Sequence, residues 1–307
     1  MSGDRGGLDG ARDLLVRYLS QLKELGESEI YLSPEARDDV MRPSSRTAPA
    51  PSRPAAAKRA AAAPEPPKPA AAGLAAGAPK PSASALAAEI PEPEVVQAKL
   101  AVTRGAGTND MFTESTELDG CSKLEDVEAI ATSCGKCELS QGRTKVVFGV
   151  GNPGARLMFI GEAPGRDEDL SGVPFVGRAG QLLDKVLAAA EIARDDVYIG
   201  NIIKCRPPNN RTPLTSEIDA CMPYLAKQIA YIRPSIICTL GLPATHTLLG
   251  VRGSMGSLRG KIYKAGDIVV VPTYHPAAAL RDPRYKKPIW EDFLIVKREY
   301  DRAGGSA

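Results

Sequence analysis

The sequence is short of aromatic side chains, which make up 5% of it, and it has only 2 histidines. Any imidazole chemistry therefore runs through His246 or His275. No apolar run is long enough to cross a bilayer, and the opening residues Met1 to Gly10 lack the hydrophobic stretch of a secretory signal. Six cysteines in 307 residues are too few for a disulfide scaffold. The expectation is a cytoplasmic protein with no membrane partner. Charge of one sign is also missing overall, since the formal net charge is +2. Its distribution says more: residues 197–290 carry 13 Lys or Arg against 4 Asp or Glu, a net of +9 that suits a polyanionic partner.

Periodicity is absent from about Met41 to Gly120, where alanine and proline dominate and aromatics are missing until Phe112. Such a segment cannot bury enough apolar surface to offset its ordering entropy, so residues 41–120 are expected to be a disordered linker. Before it, Leu14, Leu15, Tyr18, Leu19, Leu22 and Leu25 recur at helical spacing. Residues 1–40 therefore read as an amphipathic helix, available to pack on the chain itself or to dock a protein partner. Residues 121–307 remain as the folded domain, expected to be a monomer.

Within that domain the chain is organised around residues 158–187. An apolar run, Leu157 to Ile160, breaks at Gly161 into a polar turn holding Glu162, Asp167, Glu168 and Asp169, and helical spacing resumes at Leu182. Further strands are expected at Val197–Gly200, Ser235–Leu240 and Ile268–Thr273, alternating with helices. The fold class is α/β: a three-layer α/β/α arrangement around a central, mostly parallel four-stranded sheet. Each strand is followed by glycines or polar residues: Gly161 to Gly165, Asn201 to Arg206, Gly241, and Tyr274-His275-Pro276. In a parallel sheet these collect at one edge, where ligands bind. The glycine turn lacks the Gly-Lys-Ser/Thr of a phosphate loop, which speaks against a nucleotide-binding enzyme.

Cys134 and Cys137 form a C-x2-C pair, and Cys205 and Cys221 follow at wider spacing. Four cysteines grouped in this way suit a zinc ion or an iron–sulfur cluster, and spacing leaves the two open. Cys238, inside an apolar strand, reads as a buried small hydrophobe.

The motifs GEAPGRDED from Gly161, GVPFVGRAGQLL from Gly172, NIIKCRPPNNRTP from Asn201 and HPAA from His275 go further. In this order, interleaved with the four cysteines, they resemble the family 4 uracil-DNA glycosylases, the iron–sulfur type of bacteria and archaea. The resemblance covers about Cys134 to Tyr300. It implies a [4Fe-4S] cluster on Cys134, Cys137, Cys205 and Cys221, and uracil-containing DNA, single- or double-stranded, as partner and substrate. By the same resemblance Phe175 stacks on the flipped base and Asn201 reads its imide edge. The main chain of Gly161, Glu162 and Ala163 contacts the base, and His275 hydrogen-bonds uracil O2 as the glycosidic bond breaks.

Ala163 stands where the better-known family 1 enzymes carry a water-orienting aspartate. Glu162 and Glu168 are thus the candidates for positioning water or stabilising the cation, while Asp167 and Asp169 read as solvated loop charges. Arg281, Arg284, Lys286 and Lys287, with Tyr285 among them, suit phosphate contacts and insertion into the duplex. The cluster is expected to set the loop bearing Lys204, Arg206 and Arg211 against the DNA. The competing reading is a non-catalytic iron–sulfur DNA-binding module. A relative that bonds covalently to uracil-containing DNA uses a histidine in an added loop, and no histidine stands between Arg206 and Thr215.

Overall fold

The computed structural model describes residues 81–101 and 116–304. The expected N-terminal helix and most of the expected linker lie outside the described residues. The sheet strands are β1 (Glu94–Gln97), β2 (Val150–Gly151), β3 (Leu157–Gly161), β4 (Tyr198–Asn201), β5 (Ile236–Leu240), β6 (Lys261–Ala265) and β7 (Ile268–Thr273). They form one seven-stranded sheet in the order β1-β6-β7-β5-β3-β4-β2. The four central strands β7-β5-β3-β4 are mutually parallel and coincide with the four expected from sequence. β6 and β2 pair antiparallel to the ends of this group, and β1 adds parallel to β6.

The three further strands escaped the sequence reading for physical reasons. β1 and β2 are edge strands of four and two residues, too short to show a period, and β6 (Lys-Ile-Tyr-Lys-Ala) has two lysines at a spacing that fits neither a strand's alternation nor an apolar run. β1 also lies inside the segment assigned to the linker, so the folded unit reaches back beyond Cys121. It is joined there by a helix, α1 (Ala83–Glu89), which Ser82 caps by accepting a hydrogen bond from the Ala85 N–H at 3.1 Å. Pro81 to the end of the chain forms one compact unit.

The main helices that follow are α2 (Leu124–Thr132), α3 (Arg166–Ser171), α4 (Arg178–Ala189), α5 (Thr215–Ile232), α6 (Leu242–Leu249), α7 (Pro276–Arg281) and α8 (Lys286–Gly304). β3 is buried along its whole length, so its side chains must serve two cores in alternation. Leu157 and Phe159 face the layer built on α4 and α8, where Phe159 stacks on Phe293 with ring centres 5.7 Å apart. Met158 and Ile160 face the opposite layer, with Tyr224, Leu225 and Leu248 of α5 and α6. These are the three expected layers. No helix among the described residues is long and apolar enough to span a membrane.

The chain leaves β3 towards β4 and leaves β5 in the other direction, towards β7. The carboxyl ends of β3 and β5 therefore flank the switch point at which parallel sheets open a crevice.

Candidate active site

Register sets the first contact in that crevice. Gly161, the last residue of β3, pairs with Asn201, the last of β4. A Cβ on Gly161 would lie 2.7 Å from the Phe175 ring and closer still to Asn201 Oδ1. Glycine is required there because two functional side chains close over its Cα. Asn201 is 1% exposed, and its Oδ1 has no hydrogen-bond partner among the described residues. A buried acceptor left unpaired costs about 1–3 kcal/mol, which a ligand N–H would recover.

Phe175 is buried, and its ring centre lies 5.5 Å from that of His275. Its backbone adopts φ +55°, a left-handed conformation that costs a non-glycine residue about 1–2 kcal/mol. The surrounding chain enforces it. Gly180 of α4 leaves room for the Phe175 carbonyl, since a Cβ there would stand 2.8 Å from the Phe175 Cα. Glu168 accepts hydrogen bonds from the N–H groups of Val176 at 3.0 Å, Gly177 at 2.9 Å and Gly165 at 3.1 Å. Its carboxylate is thus committed to shaping the loop that carries Phe175.

His275 caps the N-terminus of α7: its Nδ1 accepts a hydrogen bond from the Ala277 N–H at 3.1 Å. Desolvation, reinforced by the positive charge of Arg281, pulls its pKa down to about 4. The ring is therefore neutral at pH 7, and the cap fixes its single proton on Nε2, where it is available for donation.

Glu162 is half-buried and meets the hydroxyl of Thr212, and its desolvation raises the carboxyl above the ordinary range. The Gly161 and Glu162 carbonyls are already tied to the Ile202 and Ile203 N–H groups at 2.9 and 3.3 Å. Ala163 is half-buried beside them. Asp169, expected to be solvated, is instead 4% exposed and accepts from the Thr144 N–H at 2.9 Å.

The cationic residues divide. Lys204 is 2% exposed and points inward, donating to the Asn201 carbonyl at 2.9 Å and to Gln228 Oε1 at 2.5 Å, so it supports Asn201 and does not face a polyanion. Arg211 forks onto Glu217 at 2.8 and 2.6 Å, and Arg206 donates to Asn210 Oδ1 at 2.8 Å. Arg284 is exposed and paired with Asp282, Arg281 is exposed at the end of α7, and Lys286 and the exposed Lys287 open α8. Tyr285 packs on Tyr274 with ring centres 4.6 Å apart, so its ring is held against the protein. The exposed apolar residue in this segment is Leu280, at 38%. The sequence reading missed it because a leucine at the end of a short helix carries no signal apart from its exposure.

The cysteines are all free thiols. Cys205 and Cys221 are buried, Cys134 and Cys137 half-buried. They stand in one neighbourhood, since Cys134 and Cys137 raise the proton affinity of Cys205, and Cys205 and Cys137 that of Cys221. Burial pushes Cys221 up to about 12. Arg143 donates to Cys205 Sγ at 3.3 Å, and Lys204 opposes the shift at Cys221. Among the described residues no group of three or more His, Cys, Asp or Glu side chains forms a metal-ion site. The donor chemistry is nonetheless that of a soft centre: four sulfurs, two cationic neighbours and no disulfide.

A family model described as the uracil DNA glycosylase superfamily matches residues 148–294. A type-4 uracil-DNA glycosylase of Saccharolobus solfataricus is 50% identical over 186 residues, covering 57% of this chain and 86% of that protein. One from Sulfurisphaera tokodaii is 49% identical over 183 residues, covering 57% and 83%. Another, from Thermotoga maritima, is 45% identical over 161 residues, covering 52% and 84%.

Proposed function

The chain belongs to the uracil-DNA glycosylase superfamily, alongside type-4 relatives, and from this premise we propose that it removes uracil from DNA by hydrolysing the N-glycosidic bond. The observation that carries the reading is the unpaired, buried Asn201 Oδ1 beside Phe175 and a neutral His275. Uracil presents an N3–H between two carbonyls, which an amide complements with one acceptor and one donor. Cytosine presents a lone pair at N3, and Asn201 Oδ1 would face it without a proton.

A base flipped from the stack would lie on the Phe175 ring, which replaces the stacking lost in the duplex. As the bond from C1′ to N1 breaks, its electron pair moves onto the base, and negative charge grows on O2. The Nε2–H of His275 is aimed at that charge. A donor whose interaction strengthens only in the transition state supplies ~3 kcal/mol. Water then adds to the cationic C1′, giving an abasic site. Glu162 is the carboxylate available to hold that water or to face the cation.

Cys134, Cys137, Cys205 and Cys221 would hold a [4Fe-4S] cluster. When bound it supplies a covalent brace, tying the turn after β4 to α5 and to the segment following α2. Lys204, next to Cys205, holds the Asn201 backbone carbonyl at 2.9 Å and so supports the strand end that carries the reading amide. Iron and acid-labile sulfide in the purified protein, lost in Cys221→Ser, test the assignment.

Arg281, Leu280 and Lys287 form the exposed face that would meet DNA, in the cytoplasm. The primary test is an oligonucleotide with a single uracil, treated with protein and then alkali. Cleavage at uracil and none at thymine is the expected result. No cleavage by iron-loaded protein would leave the DNA-binding module as the reading, and a product that stays shifted through denaturation would indicate covalent capture.

A further inference from the structure

We propose that Arg194 is a positioning residue for the base-stacking ring, acting with Asp184 as a clamp on the backbone of Phe175. This deepens the reading above and rests on it. Arg194 lies in the short 3-10 turn Arg194–Asp196 between α4 and β4, outside every motif that marks the pocket. Its Nη2 donates to the carbonyls of both Pro174 and Phe175, at 3.1 and 3.2 Å. Its Nη1 is paired with the Asp184 carboxylate of α4.

One planar guanidinium therefore ties two consecutive carbonyls at the strained residue to a rigid helix. Glu168 secures the amides that follow, but its bonds begin at Val176 and leave the Phe175 carbonyl to Arg194. A cavity of about 370 Å³ adjoins this segment, lined among others by Val173, Phe175, Val176, Ile199 and Arg194. Without the clamp, the left-handed residue has both a reason to relax and a space to relax into. The ring would then tilt away from His275 and from the plane the base must occupy. Lysine cannot replace the clamp, because one ammonium cannot span two carbonyls and a carboxylate in a fixed fork.

The test compares Arg194→Ala, Arg194→Lys and Asp184→Asn in the full chain, by single-turnover excision of uracil, KM for DNA and thermal melting. Misplacement of this kind costs ~100-fold in turnover for Arg194→Ala and Arg194→Lys, with KM for DNA changed by about twofold or less. Asp184→Asn, which leaves the guanidinium in place, loses less. The Ala variant opens a guanidinium-sized space beside an existing cavity, so millimolar guanidinium chloride should restore part of its turnover while leaving Phe175→Ala unchanged. Turnover at the wild-type rate in Arg194→Ala overturns the proposal. So does a loss matched by a fall in melting temperature with no rescue, which would make Arg194 merely structural. Absence of uracil excision by the wild-type protein is a different failure, that of the pocket reading itself.

Discussion

At the scale of single residues, the pocket works through groups whose protonation is set before substrate arrives. His275 is kept neutral by burial and by Arg281, with a pKa near 4, so its Nδ1 goes on accepting from the Ala277 N–H through the whole range in which an ordinary histidine would ionise. The same depression means that folding stability falls as pH drops below about 6.5, where the unfolded chain takes up a proton, until the folded ring is itself protonated near 4. The carboxyl of Glu162 is raised by desolvation, so its ionised form is lost on acidification before that of an ordinary glutamate. The pH profile of turnover should therefore show an acid limb above the usual carboxylate range. Replacing Glu162 with Gln should remove that limb, and its survival in Glu162→Gln would exclude Glu162 as its source.

The paired position Gly161 gives a second residue-scale prediction. Gly161→Ala pushes a methyl group against Asn201 and Phe175 at the carboxyl end of β3. Excision should fall by ~100-fold, the scale of a 1 Å misplacement, while far-UV circular dichroism stays unchanged.

At the scale of elements, α7 joins two tasks in six residues. Its first turn is capped by His275, and its end exposes Leu280 and Arg281. Leu280→Ala should lower excision from double-stranded DNA more than from single strands, because only the duplex requires something to fill the gap left by a flipped base. Equal losses on both substrates would reassign it to general contact.

Arg281→Ala should weaken binding and reduce the slope of log affinity against log salt by about 1, as measured by anisotropy titration. Arg211 belongs to a different element and a different prediction. It forks onto Glu217, whose carboxylate also accepts from the Leu214 N–H at the start of α5. Arg211→Ala should lower the melting temperature through this helix start and leave the salt slope unaltered. Two arginines of the basic stretch thus separate into one that would face a polyanion and one that is committed to its own helix start.

At the scale of the molecule, the unit that folds begins near Pro81. β1 closes one edge of the sheet on β6, and α1 packs on α8 through buried Ala83 and Ala87. Arg298 and Arg302 of α8 hold the connecting segment through the Ile90 carbonyl and Glu92. A chain starting at Pro81 should melt at the temperature of the full protein. One starting at Ala101 should melt several degrees lower, since an edge strand and a helix are lost together. Identical melting of both truncations would show that the first strand is dispensable.

The four central strands were legible in the sequence because a parallel strand buried on both faces must be a near-continuous apolar run, as Leu157 to Ile160 is and as Ile236 to Leu240 is but for Thr239. The polar residues at the strand ends were legible because chain geometry gives each strand end a short polar turn. Other assignments needed tertiary structure, because they depend on what lies across a gap of many residues. Lys204 and Arg206 look alike in sequence, yet one is buried against Gln228 and the other half-buried at the surface. Asp169 looks like a solvated loop charge, and Glu168 like a carboxylate for positioning water, until the backbone N–H groups they accept from are in view. Local sequence sets which strands and turns can form. The long-range packing that brings Arg194 to Phe175, or α1 to α8, decides what each charged side chain is for.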